Sequence, residues 1–316
     1  MKKFALILCM LITLAVTAGL IFIMVTGING DSGSWFNIKW FNDRNIKIGM
    51  NFGGNDVLIK EERIPAEGLE IFALSTSSYS VQIRATDGDS IVVRQYAPDG
   101  SDDQMTVTRN GGECRVDIGH ESSFYIGIFL GDWRAEVDIP RGWAGNVDIK
   151  TISGGVKIFD EFTWNDVRLK TTSGGVTASN GMNAANLSID LASGGINMGE
   201  VKAETFDIHT ISGGVKFAGL TGAGNIKCTS GGVKLNRFTP TGDSTVKTTS
   251  GGVTVLIPDS VSFKLDARTT SGGIKTDFGH TFDSERKNHA TASNGSEPFV
   301  TLDVDVMSGG VHINKY

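Results

Sequence analysis

Apolar and polar residues alternate along the C-terminal half of this 316-residue chain, and the alternation restarts about every 20 residues. Each restart carries Ser-Gly-Gly followed by a β-branched residue. The serines are Ser153, Ser173, Ser193, Ser212, Ser230, Ser250, Ser271 and Ser308, at spacings of 20, 20, 19, 18, 20, 21 and 37. Four residues before each serine stand Ile149, Leu169, Ile189, Ile208, Ile226, Val246, Ala267 and Val304. Two before stand Thr151, Thr171, Leu191, Thr210, Cys228, Thr248, Thr269 and Val306. Three after stand Val156, Val176, Ile196, Val215, Val233, Val253, Ile274 and Val311. Period-two patterning of this kind is a half-buried strand. The inward parity is even before the serine and odd after it, so the two glycines absorb one residue of phase at a bulge or corner. The predicted structural corners are Gly154, Gly155, Gly174, Gly175, Gly194, Gly195, Gly213, Gly214, Gly231, Gly232, Gly251, Gly252, Gly272, Gly273, Gly309 and Gly310.

A strand–corner–strand unit this short cannot bury its inner face alone, but stacked copies can. Stacking at about 4.8 Å puts each motif position in a column, where a side chain on a corner glycine would meet its neighbours. The predicted fold is all-β: a parallel β-solenoid of Ser-Gly-Gly rungs, coiled right-handed by default. The last spacing, 37, fits one rung plus an insertion, or two rungs with one degenerate. Residues 279–298 are polar and long for a rung connection, as a functional loop or a tolerated insertion would be. Residues 61–140 read as strands at 69–74, 81–83, 91–93, 105–107 and 135–140, with turns at 87–89, 98–100 and 110–112. They are expected to cap the stack and continue its sheet.

The N-terminus breaks this pattern. Lys2 and Lys3 precede an uncharged, proline-free run from Phe4 to Thr26. At helical rise such a run exceeds the roughly 30 Å of hydrocarbon in a bilayer. It predicts one transmembrane helix, N-terminus inside and bulk outside because the lysines precede it. A cleaved signal ending near Val16-Thr17-Ala18 is the alternative, although the apolar run continues past it. The expected organisation is an anchor over 1–28, a linker and ectodomain start over 29–60, an N-terminal β portion over 61–140 and the solenoid over 141–316. Trp35, Phe36, Trp40 and Phe41 read as the start of the folded domain or as an interfacial belt. Localisation is then the plasma membrane, single-pass.

Glycine is the compositional outlier, with 41 residues against 6 prolines. Without Lys2 and Lys3 the chain carries 27 basic and 35 acidic residues, which argues against free nucleic acid as a partner. Cys114 and Cys228, the two cysteines beyond the apolar N-terminus, have no framework spacing and read as small core residues.

Leu74–Ile83, with its Ser75-Thr76-Ser77-Ser78-Tyr79-Ser80 stretch, then Val137-Asp138-Ile139-Pro140 and the iterated Thr-x-Ser-Gly-Gly-Val carry a resemblance. From about residue 66 to 316 the chain resembles the bacterial β-strand-repeat family of adhesin candidates, also called the toastrack domain. The resemblance implies the β-repeat fold and, with the N-terminal span, a membrane-anchored member linked to envelope-stress systems. It implies no catalytic residues. Many members have Gly-Asp where this chain has Gly-Gly, which removes a row of carboxylates and weakens any cation-binding reading.

The chemistry of the motifs points away from catalysis. Eight equivalent serines lack the single base and orienting group that a nucleophile needs. Calcium β-rolls need an Asp in the glycine loop. None of His120, His209, His280, His289 and His312 has ligand spacing to Cys, His or Asp. Every Gly-Gly leads into a strand, so no phosphate loop is present. The expectation is no catalytic, cofactor or metal site.

Outward positions carry cations. One row, three residues before each serine, holds Lys150, Lys170, Lys227, Lys247 and Arg268, with Asp190, His209 and Asp305 interspersed. A second row, four after, holds Lys157, Lys216, Lys234 and Lys275. These nine are the candidate polyanion-binding residues. Outward Asp148, Asp207, Asp266 and Asp303 would partly neutralise them. Phe124–Leu130 is a continuous apolar run, a buried strand or an exposed partner or membrane contact. The functional expectation is a non-catalytic scaffold or sensor facing an envelope protein or an anionic cell-wall polymer. A surface adhesin for host or neighbouring-cell polymers is the alternative. A polysaccharide-degrading enzyme would need paired acids on one face.

Overall fold

The computed structural model describes residues 56–98, 104–119, 133–282 and 287–316, together with the backbone of strands Ser34–Lys39, Asn45–Phe52 and Ser123–Leu130. The predicted span Phe4–Thr26 lies outside the described residues. Among those described, no helix is long and apolar enough to cross a membrane.

The described chain is all strand and turn, and the rungs stack in parallel as the repeat requires. A long segment precedes the serine and a short one follows the glycines, as separate strands in Phe162–Ser173 and Val176–Ala178 and as one unbroken strand in Ile196–Ser212 and Val215–Ser230. The long strands pair residue for residue: Ile149 with Leu169, Leu169 with Ile189, Ile189 with Ile208, Ile208 with Ile226 and Ile226 with Val246. Short strands do the same, from Val156 with Val176 to Val233 with Val253. A third side forms where each long strand bends near its start and aligns Phe162, Met182, Val201, Leu220 and Phe238. The inward residues make one continuous core that runs from Ile64 to Ile313. A stack of this kind gains its stability from burying identical positions against each other.

The corner owes its sequence to close backbone contact. A Cβ on Gly213 would fall 2.0 Å from the carbonyl oxygen of Gly194, and one on Gly251 would fall 2.2 Å from that of Gly231. Gly213 and Gly251 also have φ of 137°, which L side chains rarely adopt. The second glycines are looser: a Cβ on Gly232 would sit 3.2 Å from the Gly252 oxygen, and one on Gly273 would meet nothing within 4 Å. Column crowding therefore holds for the first glycine of each pair and only weakly for the second.

The buried threonine two residues before the serine ties the corner down. Thr171 Oγ1 donates to the Gly154 carbonyl at 3.1 Å, Thr248 Oγ1 to Gly251 at 2.8 Å and Thr269 Oγ1 to Gly309 at 3.0 Å. Cys228 stands in the same column, its thiol 3.2 Å from the Gly231 oxygen. Cys114 and Cys228 are free and buried, and burial pushes both thiols up.

Two features depart from a simple reading of the repeat. Leu74–Val81 is itself a rung: Thr76 pairs with Thr151 and Val81 with Val156. Tyr79 takes the place of its first glycine, fully buried, with its hydroxyl accepting from Gln95 Nε2 at 2.9 Å. The second departure is the order of the last rungs. The Ser250 rung pairs with the Ser308 rung, which in turn pairs with the Ser271 rung. The C-terminal rung is therefore inserted between two earlier ones. The 37-residue gap holds a cap: His280–Phe282 and His289–Asn294 pair antiparallel, and His289–Asn294 pairs antiparallel with the Ser271 strand.

The other end is closed in the same manner. Glu113–Gly119 pairs parallel with Ile71–Thr76 and antiparallel with Gln104–Asn110. Beside the short strands, Arg134–Pro140 pairs parallel with Ser80–Thr86 and antiparallel with Ser90–Pro98, and Asp56–Pro65 follows antiparallel. Antiparallel caps cover edges that would otherwise template another stack. The Phe124–Leu130 run lies in strand Ser123–Leu130, parallel to Asn45–Phe52, which pairs antiparallel with Ser34–Lys39.

Candidate functional site

With the core and corners fixed by packing, the outward rows are where the rungs differ. The first row reads, in stack order, Ser75, Lys150, Lys170, Asp190, His209, Lys227, Lys247, Asp305, Arg268 and His289. The stack order differs from the chain order at Lys247 and Arg268. Asp305 separates them, because the C-terminal rung is inserted between theirs. In the second row Lys216 adjoins Lys234, then Thr254 and His312 intervene before Lys275, and Lys157 is set apart by Thr177 and Asn197.

The nine candidate cations fall into two groups. Lys150 pairs with Asp148 at 2.8 Å, Lys170 with Asp190 at 2.8 Å and Arg268 with Asp266 at 2.7 Å. Asp190 also meets His209 at 3.2 Å, and Lys170, followed by His209, holds its carboxyl below the usual range. Lys157, Lys216, Lys227, Lys234, Lys247 and Lys275 have no carboxylate within ion-pair distance among the described residues. The cause is local. Two residues before Lys150 and Arg268 stand Asp148 and Asp266, whereas before Lys227 and Lys247 stand Asn225 and Thr245. Lys227 and Lys247 are thus adjacent and exposed with no acid two residues before either, while Asp305 lies beside Lys247 on the next rung without pairing with it at ion-pair distance. Lys216 and Lys234 form a second adjacent, exposed pair, Lys234 lying across the Ser230 corner from Lys227.

In the N-terminal portion a cluster of surface charges is linked by ion pairs. Arg94 bridges Glu61 at 2.8 Å and Asp138 at 2.6 Å, and Arg134 bridges Asp56 and Glu136, both at 3.0 Å. Hydrogen bonding to Asp138, and then to Glu61, raises the Arg94 pKa, while Arg94 and Arg63 lower that of Glu61.

An open depression of about 800 Å³ lies at the N-terminal end of the first row. Ser75, Ser77, Gln104, Thr106 and Asp117 line it, with Lys150 and Lys170 on one side. Sequence reasoning missed it because the hairpin of Gln104–Asn110 and Glu113–Gly119 joins that face only through the long-range pairing of Glu113–Gly119 with Ile71–Thr76. Among the described residues no group of three or more His, Cys, Asp and Glu is placed to hold a metal ion.

A family model described as Toastrack DUF4097 matches residues 70–314. The chain belongs to the toastrack family. No relative is found among curated protein sequences. Solved structures similar to this toastrack include an adhesin candidate from Parabacteroides distasonis, at 7% identity and a TM-score of 0.45, covering 83% of this chain and 98% of that one. An adhesin candidate from Bacteroides fragilis has 12% identity and a TM-score of 0.39, covering 81% and 97%. A candidate cell adhesion protein from Clostridium sporogenes has 12% identity and a TM-score of 0.26, covering 81% and 98%. The toastrack match spans the rungs and both sets of outward rows, so the lysine pairs are features within the family domain.

Proposed function

We propose that this toastrack is a non-catalytic scaffold displayed outside the plasma membrane, tethered by Phe4–Thr26, and that its ligand is an anionic polymer of the cell envelope. The observation that carries the reading is the pair of adjacent lysine couples, Lys227 with Lys247 and Lys216 with Lys234, none of which has a carboxylate within ion-pair distance among the described residues. Neighbouring rungs hold each couple at about 4.8 Å spacing. A linear polyanion lying across the rungs gains several weak contacts at once and releases counterions, so its affinity falls steeply with salt. The link to envelope stress is an implication of the family resemblance. As an adhesin, the same face would engage polymers of host or neighbouring cells.

The test is co-sedimentation of the full chain in detergent with purified cell wall, at low and at physiological salt, beside a variant carrying Lys227→Gln and Lys247→Gln. Wild type should pellet at low salt, less at physiological salt, and the double variant less than wild type under both. Equal pelleting of the two proteins sinks the reading. A parallel arm with intact cells of other species separates an adhesin from a scaffold for the producer's own wall.

A further inference from the structure

The C-terminal rung occupies a slot whose two walls come from earlier parts of the chain. On one side Leu302, Val304, Val306 and Ser308 pair with Ser244, Val246, Thr248 and Ser250. On the other side the same residues pair with Leu265, Ala267, Thr269 and Ser271. The short strand is held likewise, Val311 lying between Val253 and Ile274. The corner joins both ladders: Gly251 N donates to Ser308 O and Gly309 N to Ser271 O, each at 2.9 Å. Leu302, Val304, Val306, Val311 and Ile313 are all 0% exposed. This terminal segment is therefore core on its inner face and hydrogen-bonded along both edges. Its covalent link to the rest is short and open to solvent, with Gly295, Ser296, Glu297 and Pro298 all exposed.

We propose that the gap between the Ser250 and Ser271 rungs is a strand-acceptor site, and that the partner it fits is the C-terminal rung of a second copy of this chain. Both walls of the slot precede the last rung in the chain. An empty slot presents two unpaired strand edges, which are templates for strand addition. The slot is selective as well. A Cβ on Gly309 would fall 2.5 Å from the Gly251 oxygen, and one on Gly272 would fall 2.0 Å from that of Gly309. An entering segment therefore needs the glycine corner in register with β-branched inward residues on both sides, which the chain's own last rung supplies. Closure within one chain and exchange between two chains make the same contacts, so copy concentration and the short tether decide between them.

The probe is a fluorescent peptide of residues 299–316. The receptor is the full chain carrying Val304→Asp and Val306→Asp, whose own rung can no longer enter the slot. The peptide should bind this variant at least about tenfold more tightly than it binds wild type, and a peptide carrying Gly309→Val should not bind. A folded variant, judged by circular dichroism, that takes up no peptide overturns the proposal. Should the variant not fold, wild-type protein nicked by trypsin after Lys287 decides. Labelled peptide should then exchange into the nicked protein in mild urea, and its failure to enter overturns the proposal. Two differently tagged wild-type copies refolded together at high concentration should also yield mixed dimers that separately refolded copies do not.

Discussion

The glycine corners and the lysine rows recur with one period, and the molecule uses them in opposite ways. At the corners each rung touches the next through backbone, so first glycines such as Gly194, Gly213 and Gly231 admit no side chain. In the rows each rung points to solvent, and the identity drifts from Lys150 and Lys170 through Asp190 and His209 to Lys227 and Lys247. Invariance within the repeat marks packing. Drift marks positions that packing leaves free, and it is there that a run of unpaired charge has to be explained by something other than the fold.

The comparison breaks most readily at the corner. Gly213→Val should cost more than about 3 kcal/mol, since a Cβ 2.0 Å from backbone and a φ of 137° together force two rungs apart. Gly232→Ala should cost about 1 kcal/mol or less, because its neighbour at 3.2 Å has only to yield a few tenths of an ångström. Chemical denaturation of the two variants measures the difference; equal losses would mean that the two glycine columns are not distinct.

A smaller effect sits one step inside. Thr248→Val should cost about 1 kcal/mol through its lost hydrogen bond to Gly251. Thr210 is fully buried and its Oγ1 has no partner among the described residues, so Thr210→Val should be neutral or slightly stabilising. A Thr210→Val loss as large as that of Thr248→Val would show that the threonine column acts by shape and not by hydrogen bonding.

In the rows, replacing Lys227 and Lys247 with Gln should leave stability within about 0.5 kcal/mol of wild type, as exposed positions without partners do. A marked fall in melting temperature would place these lysines in the structural class with the glycines. The smallest effect concerns Asp190. Its carboxyl is held low in the folded chain by Lys170 and then His209. The stability it adds is present above the ordinary carboxylate pKa of about 4 and is lost as pH falls through its depressed folded value. Asp190→Asn should therefore be slightly less stable than wild type at neutral pH, and the gap should close in acid. The gap is small because Lys170 and Asp190 are both well exposed. Urea titrations at neutral and at acid pH follow it, and a gap that widens in acid would contradict the pairing.

Much of the fold was legible because a rung is a local object. The phase change across Ser-Gly-Gly located the corners, and alternation assigned Ile149, Val156 and their equivalents to the core, where they lie. The row positions were also legible, as were the acids expected to offset them: Asp148 and Asp266 do neutralise Lys150 and Arg268. The rung at Leu74–Val81 was legible only as the end of one strand, 69–74, and the start of another, 81–83, since Tyr79 in place of the first glycine hides the motif. Tyr79 is accommodated there because Gln95 reaches its hydroxyl from the capping strand Ser90–Pro98.

The sequence by itself determined the rung, the corner and the inward face, because each follows from alternation and glycine placement within about 20 residues. Tertiary structure alone decided which rung lies beside which. The rungs at Ser250, Ser271 and Ser308 carry the same Ser-Gly-Gly, so the Ser250 strand can align equally well with Ser271 or Ser308, and local pattern cannot rank the two. The choice came from long-range closure: the strand His289–Asn294 folds back antiparallel over the Ser271 rung, and the last rung fills the remaining gap. That choice placed Asp305 beside Lys247 and His312 between Thr254 and Lys275, and so decided which lysines remain unpaired neighbours.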